Sequence, residues 1–124
     1  MDTTFYLYIL YSSSANKYYV GYTTDYLKRL SEHNTQEYFN TYTSKFRPWV
    51  LAAVFKVGHD EAQAIALERF IKRQKSRRLI EQLIDTNFIP AGKLAQLVRF
   101  RQGGLIRGSL VQSLSRSFGI QEEE

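Results

Sequence analysis

The spacing of hydrophobic and polar positions changes several times along the chain, and each change marks an element. Phe5 to Tyr11 is almost wholly aromatic and aliphatic, the pattern of a strand buried on both faces. Ser12-Ser13-Ser14-Ala15-Asn16 reads as a turn and Lys17 to Tyr22 as a second strand, so the two predict an antiparallel hairpin. Gly21 interrupts the second strand, where a glycine marks a bulge or a close approach by another backbone or a ligand. Asp25 is placed to cap a helix running to about Asn34, with Tyr26, Leu27 and Leu30 on one face. Thr35 to Arg47 has no period and reads as a loop. Pro48 then opens a third strand through Val57, with Trp49, Leu51, Ala53 and Phe55 on one side.

Asp60 followed by Gln63 resembles a capping box, and Ala64, Leu67, Phe70 and Ile71 give the next helix an apolar stripe. Ser76 caps a further helix that turns Leu79, Ile80, Leu83 and Ile84 to the core. After Pro90-Ala91-Gly92, Lys93 to Arg99 reads as a short helix. Gly103-Gly104 breaks the pattern. Beyond it Ile106, Leu110, Leu114 and Phe118 recur every four residues, as in an amphipathic helix, within a Ser- and Arg-containing stretch that is equally compatible with disorder. The expected fold class is α+β: a three-stranded antiparallel β-sheet flanked by helices, in the order ββαβαα plus a short C-terminal helix. Residues 1–100 form the expected domain and 101–124 a tail.

Composition narrows the chemistry. A chain of 124 residues has the length of one domain. With no cysteine there is neither a disulfide framework nor a thiolate metal site, so a metal must use oxygen or imidazole ligands. No apolar run reaches the roughly 18 residues needed to span a bilayer, and Met1-Asp2-Thr3-Thr4 lacks the basic start of a secretory signal. A soluble, cytoplasmic protein without a membrane partner is the expectation. The net charge is +5 even though Glu122-Glu123-Glu124 close the chain, which favours a polyanionic partner. Arg69, Lys72, Arg73, Lys75, Arg77 and Arg78 fall in a stretch without an acid. Such a run is either a phosphate-binding surface or a solvated helix face.

Several polar residues have little use in a core: Tyr8, Tyr19, Arg29, His33 and Glu68. Tyr8 and Tyr19 lie on the two strands of one hairpin, and Arg29 and His33 are four apart on one helix, so the four can converge. Glu68 lies at the border of the buried stripe formed by Ala64, Leu67 and Ile71, placed to meet the sheet. Phe5, Trp49, Phe55 and Phe70 are expected in the core, whereas Tyr18, Tyr22 and Tyr42 either stack on bases or cover the sheet.

Tyr6-Leu7-Tyr8, then Tyr19-Val20-Gly21, then Arg29, His33 and Glu68 resemble the GIY-YIG nuclease superfamily over roughly residues 5–85. The resemblance is closest to its small, stand-alone bacterial members. Tyr26 to Asn34, Tyr42-Thr43-Ser44-Lys45 through Arg47-Pro48-Trp49, and Leu67 to Lys72 are characteristic of that subgroup. Two departures stand out: Tyr6-Leu7 replaces Gly-Ile in the first motif, and the asparagine that often closes the site has only Asn87 as a counterpart.

The resemblance implies a metal-dependent endonuclease acting on DNA, with RNA also open, and branched or damaged DNA in repair or recombination as the candidate setting. Tyr8 would be the general base, which requires its pKa to fall below the usual value of about 10 under the influence of a nearby Arg⁺ or metal. Tyr19 would orient Tyr8 or the water. Arg29 suits the scissile phosphate through paired hydrogen bonds, and His33 would assist proton transfer or bind phosphate. Glu68 would hold one Mg²⁺ (or Mn²⁺) together with phosphate oxygens and waters. Lys45 and the run Arg69, Lys72, Arg73, Lys75, Arg77 and Arg78 would follow the nucleic-acid backbone. His59 has no expected role. A catalytically inactive module that binds structured nucleic acid is the alternative, and an adaptor working through the tail from Gly103 is a third reading.

Overall fold

The computed structural model describes residues 3–37 and 39–100. The hairpin strands β1 (Phe5–Ser12) and β2 (Lys17–Thr23) are followed by α1 (Tyr26–Thr35), α2 (Thr41–Ser44), β3 (Val50–Gly58), α3 (Glu61–Gln74) and α4 (Arg77–Ile84). A 3₁₀ turn (Gly92–Gln96) leads into β4 (Val98–Arg99). The sheet has four strands in the order β2-β1-β3-β4, all antiparallel.

β1 therefore runs inside the sheet, and helices cover both of its faces. Leu7 and Ile9 pack with Leu67 and Ile71 of α3 and Leu83 of α4. Tyr8 and Leu10 pack with Trp49 and Val54, and with Tyr26 and Leu30 of α1, on the other face. This explains why β1 reads as a continuous apolar run rather than an alternating one. Fully burying each of Leu7, Ile9 and Leu10 contributes roughly 1.5–3 kcal/mol.

The caps at Asp25 and Ser76 form as the sequence indicates, accepting from the backbone N–H groups of Lys28 and Leu79. Asp60 accepts from Ala62 N–H, but Gln63 does not complete a capping box: its side chain pairs with Gln96 instead. Leu27 also departs from expectation. It is 52% exposed, and the inner face of α1 is made by Tyr26, Leu30 and His33.

Three further corrections arise in regions whose sequence period is short or broken. Trp49, Leu51, Ala53 and Phe55 do not share one side of β3. The register slips so that Ile9 faces Ala53 while Leu10 faces Leu51, leaving Ala52 as the extra residue of a bulge. Leu51 consequently joins Trp49 and Val54, whereas Ala53 and Phe55 join the α3/α4 side. Second, the expected loop contains α2, nucleated by Asn40, whose side chain accepts from Tyr42 and Thr43 N–H.

Third, Lys93 to Arg99 is a 3₁₀ turn and a fourth strand rather than a helix. Leu94 and Leu97 are buried, β4 pairs with Phe55 and Lys56, and Arg99 donates to the carbonyls of Leu83 and Asp85 at the end of α4. The tail 101–124, with its alternative of amphipathic helix or disorder, lies outside the described residues. Among the described residues, no helix is long and apolar enough to cross a membrane.

Candidate active site

The site is built where β1, β2, α1 and α3 meet. Tyr8 faces Gly21 across the hairpin, and its phenol lies over that glycine. A Cβ at Gly21 would stand 2.5 Å from the Tyr8 hydroxyl and 2.6 Å from Cζ. The close approach read from the sequence is thus made by a side chain of the same hairpin, and only glycine leaves room for it.

Tyr8 and His33 are both about 1% exposed, and the Tyr8 hydroxyl lies 2.9 Å from His33 Nε2. His33 Nδ1 lies 2.8 Å from Thr43 Oγ1, which itself donates to the Asn40 carbonyl. Thr43 has one hydroxyl hydrogen, so it accepts from Nδ1–H. Nε2 is then the unprotonated nitrogen, and Tyr8 donates to it. Burial, reinforced by Arg29 and Arg47, lowers the His33 pKa from 6.5 to about 4, so the imidazole is neutral at pH 7. His33 is thus enclosed, with both ring nitrogens engaged.

The folded-state value of His33 has a consequence for stability. Between the ordinary 6.5 and about 4 the unfolded chain binds more protons than the folded one. The contribution is fully present above pH 6.5 and declines as pH falls through 4, by roughly 3 kcal/mol. Urea midpoints measured at neutral pH and at about pH 4.5 should drop more steeply for the parent than for His33→Gln. Parallel drops would contradict the assignment.

The remaining members surround the Tyr8 hydroxyl. Tyr19 stacks near His33, with ring centroids 4.8 Å apart, and receives a 3.3 Å hydrogen bond from Asn40 Nδ2. Arg29 is half-buried, pairs with Glu32 at 3.0 Å and lies over the Phe39 ring. Glu68, its side chain 17% exposed, bonds Lys72 Nζ at 3.2 Å, and that ammonium stands 5.1 Å from the Tyr19 ring centre. The Tyr8 pKa moves opposite to the expected direction: burial, then the neighbouring Tyr19, raise it, Arg29 opposes them, and Glu68 adds to the rise. The five polar residues read from the sequence thus lie in one neighbourhood.

Sequence reasoning missed Thr43 and Asn40, which fix the His33 tautomer and hold Tyr19. The available signal was an asparagine ahead of a polar helical turn, the signature of an N-cap.

Residues 4–81 match the GIY-YIG catalytic domain, well over half of the chain. The protein belongs to the GIY-YIG family. Comparison with curated proteins and with solved structures returned no match.

Family membership gives meaning to the altered first motif. Tyr6, in the position of the GIY glycine, is wedged between Tyr26 and Phe100, with ring centroids 5.3 and 5.5 Å away. Tyr6 is accommodated by an aromatic cluster, and Tyr8 pairs with His33. Asn87 is exposed in the turn after α4, its N–H bonded to Asp85 Oδ1.

The basic residues divide. Lys72 touches the cluster, whereas Arg77 is bound to Glu81 and to both oxygens of Asn16. Lys45, Arg69, Arg73, Lys75 and Arg78 are exposed. Arg69 and Arg73 stand about half a turn from the buried stripe of α3.

Proposed function

We propose that this GIY-YIG protein is a metal-dependent endonuclease that hydrolyses DNA phosphodiester bonds, with branched or damaged DNA as its substrates in repair or recombination. The observation that carries the reading is the buried Tyr8–His33 hydrogen bond, flanked by Arg29 and Glu68. A water loses a proton to the Tyr8 oxygen as the Tyr8 hydroxyl proton passes to His33 Nε2. The Thr43 contact holds the imidazole ready to receive it. Arg29 binds the scissile phosphate through its guanidinium, exchanging its pairing with Glu32 for the phosphate oxygens.

Among the described residues no three His, Cys, Asp or Glu side chains cluster to form a closed metal cage. Glu68 is a lone, largely buried carboxylate that already pairs with the cation of Lys72. That donor set fits one Mg²⁺ or Mn²⁺ sharing its shell with phosphate oxygens and waters. An ion held there would supply positive charge beside the phosphate and beside the Tyr8 phenol.

The functional test is incubation with labelled linear, flapped and four-way-junction DNA in Mg²⁺, Mn²⁺ or EDTA. Cuts that require metal support the reading, and their substrate identifies the preferred DNA. Tight binding with no cuts under any metal selects the inactive binding module instead.

Gly21→Ala supplies a geometric check. The new methyl would displace the Tyr8 phenol, so about 1–3 kcal/mol of stability should be lost. Cleavage should fall about 10²-fold or more as the proton acceptor is misplaced. Urea denaturation and single-turnover cleavage measure the two effects, and parent-like values of both would contradict the close packing.

A further inference from the structure

β2 is an edge strand, and a cleft of about 480 Å³ lies along it. The cleft lies outside the Tyr8–His33 pair but adjoins it through Tyr19 and Lys72. None of its lining residues is acidic, while Lys17, Lys72, Lys75 and Arg77 are basic, so its charge favours an anion. Its volume is within the range of small-molecule sites. Tyr42 forms one wall, 42% exposed. The ring is held by Tyr19 and Trp49, with centroids 6.3 and 6.4 Å away, and by Phe46 at 5.2 Å. It is an aromatic face held in place and left open on the solvent side.

The other two tyrosines that raised the question of stacking are engaged. Tyr18 donates to Glu81 beneath the Arg77 guanidinium, and Tyr22 donates to Glu61. Lys75, on the rim at the turn between α3 and α4, is exposed, and its ammonium makes no hydrogen bond or ion pair among the described residues. Lys72 links the cleft to the site, since its ammonium contacts both Glu68 and the Tyr19 ring.

From this arrangement we infer that the β2-edge cleft binds an unpaired nucleotide flanking the scissile phosphate. The base stacks on Tyr42, and Lys75 and Lys17 take its phosphates. The inference deepens the nuclease reading and rests on it for the position of the scissile group. A paired base has both faces covered by its neighbours in the duplex, so an exposed tyrosine gains most from a base that has left the stack. Such stacking tolerates any base, and the cations follow the backbone, which makes the cleft selective for structure rather than sequence.

The test measures binding in EDTA, so its result is independent of cleavage. Fluorescence anisotropy compares a fully paired duplex with the same duplex carrying a single-stranded flap whose first unpaired base is 2-aminopurine. Tyr42→Ala should weaken flap binding by about 5- to 100-fold, change duplex binding by less than about twofold, and relieve the 2-aminopurine quenching seen with the parent. Tyr42→Phe keeps the ring and should restore both signals. Lys75→Gln, a rim substitution that does not touch the aromatic cluster, should lower the salt dependence of flap binding by about one phosphate contact.

Equal losses on both DNAs, or unchanged flap binding in both Tyr42→Ala and Lys75→Gln, would overturn the inference. If Tyr42→Ala does not fold, Lys75→Gln decides alone. Absence of metal-dependent cleavage alongside the predicted binding pattern would instead sink the nuclease reading and leave the cleft assignment standing.

Discussion

Tyr8→Phe is expected to slow cleavage by about 10²–10⁴-fold, the usual cost of losing a positioned proton acceptor, while the DNA affinity stays near that of the parent. The substitution removes one oxygen from a buried site and keeps the ring packed over Gly21. His33 Nε2 then loses its partner, so stability should also fall by about 1–3 kcal/mol, the desolvation cost of an unsatisfied buried acceptor. Cleavage and stability can be separated because single-turnover rates are read far below the unfolding midpoint. The phenol is weakly acidic in its buried setting, so in the proposed mechanism it passes its own proton to His33 as it accepts another. His33→Ala should therefore lower the rate as well. A Tyr8→Phe enzyme that cuts at the parent rate would remove Tyr8 from the chemistry.

Much of this site was legible before any coordinates, for reasons tied to particular residues. β1 announces itself because a strand covered on both faces has no polar alternation, and the hairpin fixes Tyr8 opposite Gly21. Arg29 and His33 are one helical turn apart, and Glu68 borders an apolar stripe, so local periodicity brought each to the right face. The losses occurred where local pattern and tertiary contact disagree. A one-residue bulge at Ala52 reverses the facing of everything before it, and nothing in an alternating run of apolar residues signals the slip. β4 has two residues, too few for a period, and Leu94 and Leu97 have a spacing that a helix would also give.

The Tyr8 pKa moves against the expectation for a different reason. The charge of Arg29 could be anticipated from its residue type, but the extent of burial could not, and burial outweighs that charge here. The same burial explains His33, whose type suggested either proton transfer or phosphate contact. Its enclosure by Tyr8, Thr43 and Phe39 could not be read from that type. Arg77 shows the converse: in sequence it belongs to a basic run, yet Asn16 and Glu81 engage its guanidinium and tie α4 to the hairpin turn.

Glu68→Ala is expected to have the largest effect, a loss of cleavage of about 10³-fold or more, because the carboxylate proposed to hold the ion would be gone. Among the described residues the Glu68 carboxylate bonds Lys72 alone, one helical turn away, a pair worth about 0.3–0.5 kcal/mol, so folding should be nearly unchanged. With one negative charge fewer beside Tyr8 and Lys72, DNA binding in EDTA should be equal or tighter. This combination of an intact fold, retained binding and lost turnover is what separates a metal-holding carboxylate from a structural one. The most direct measurement is a time course of labelled flapped and four-way-junction DNA with parent and Glu68→Ala, in Mg²⁺, Mn²⁺ and EDTA, beside circular dichroism of both proteins. Metal-dependent cuts by the parent and none by a folded, DNA-binding Glu68→Ala are the predicted result, whereas cleavage by Glu68→Ala at the parent rate, or by the parent in EDTA, would contradict a metal-dependent site at Glu68.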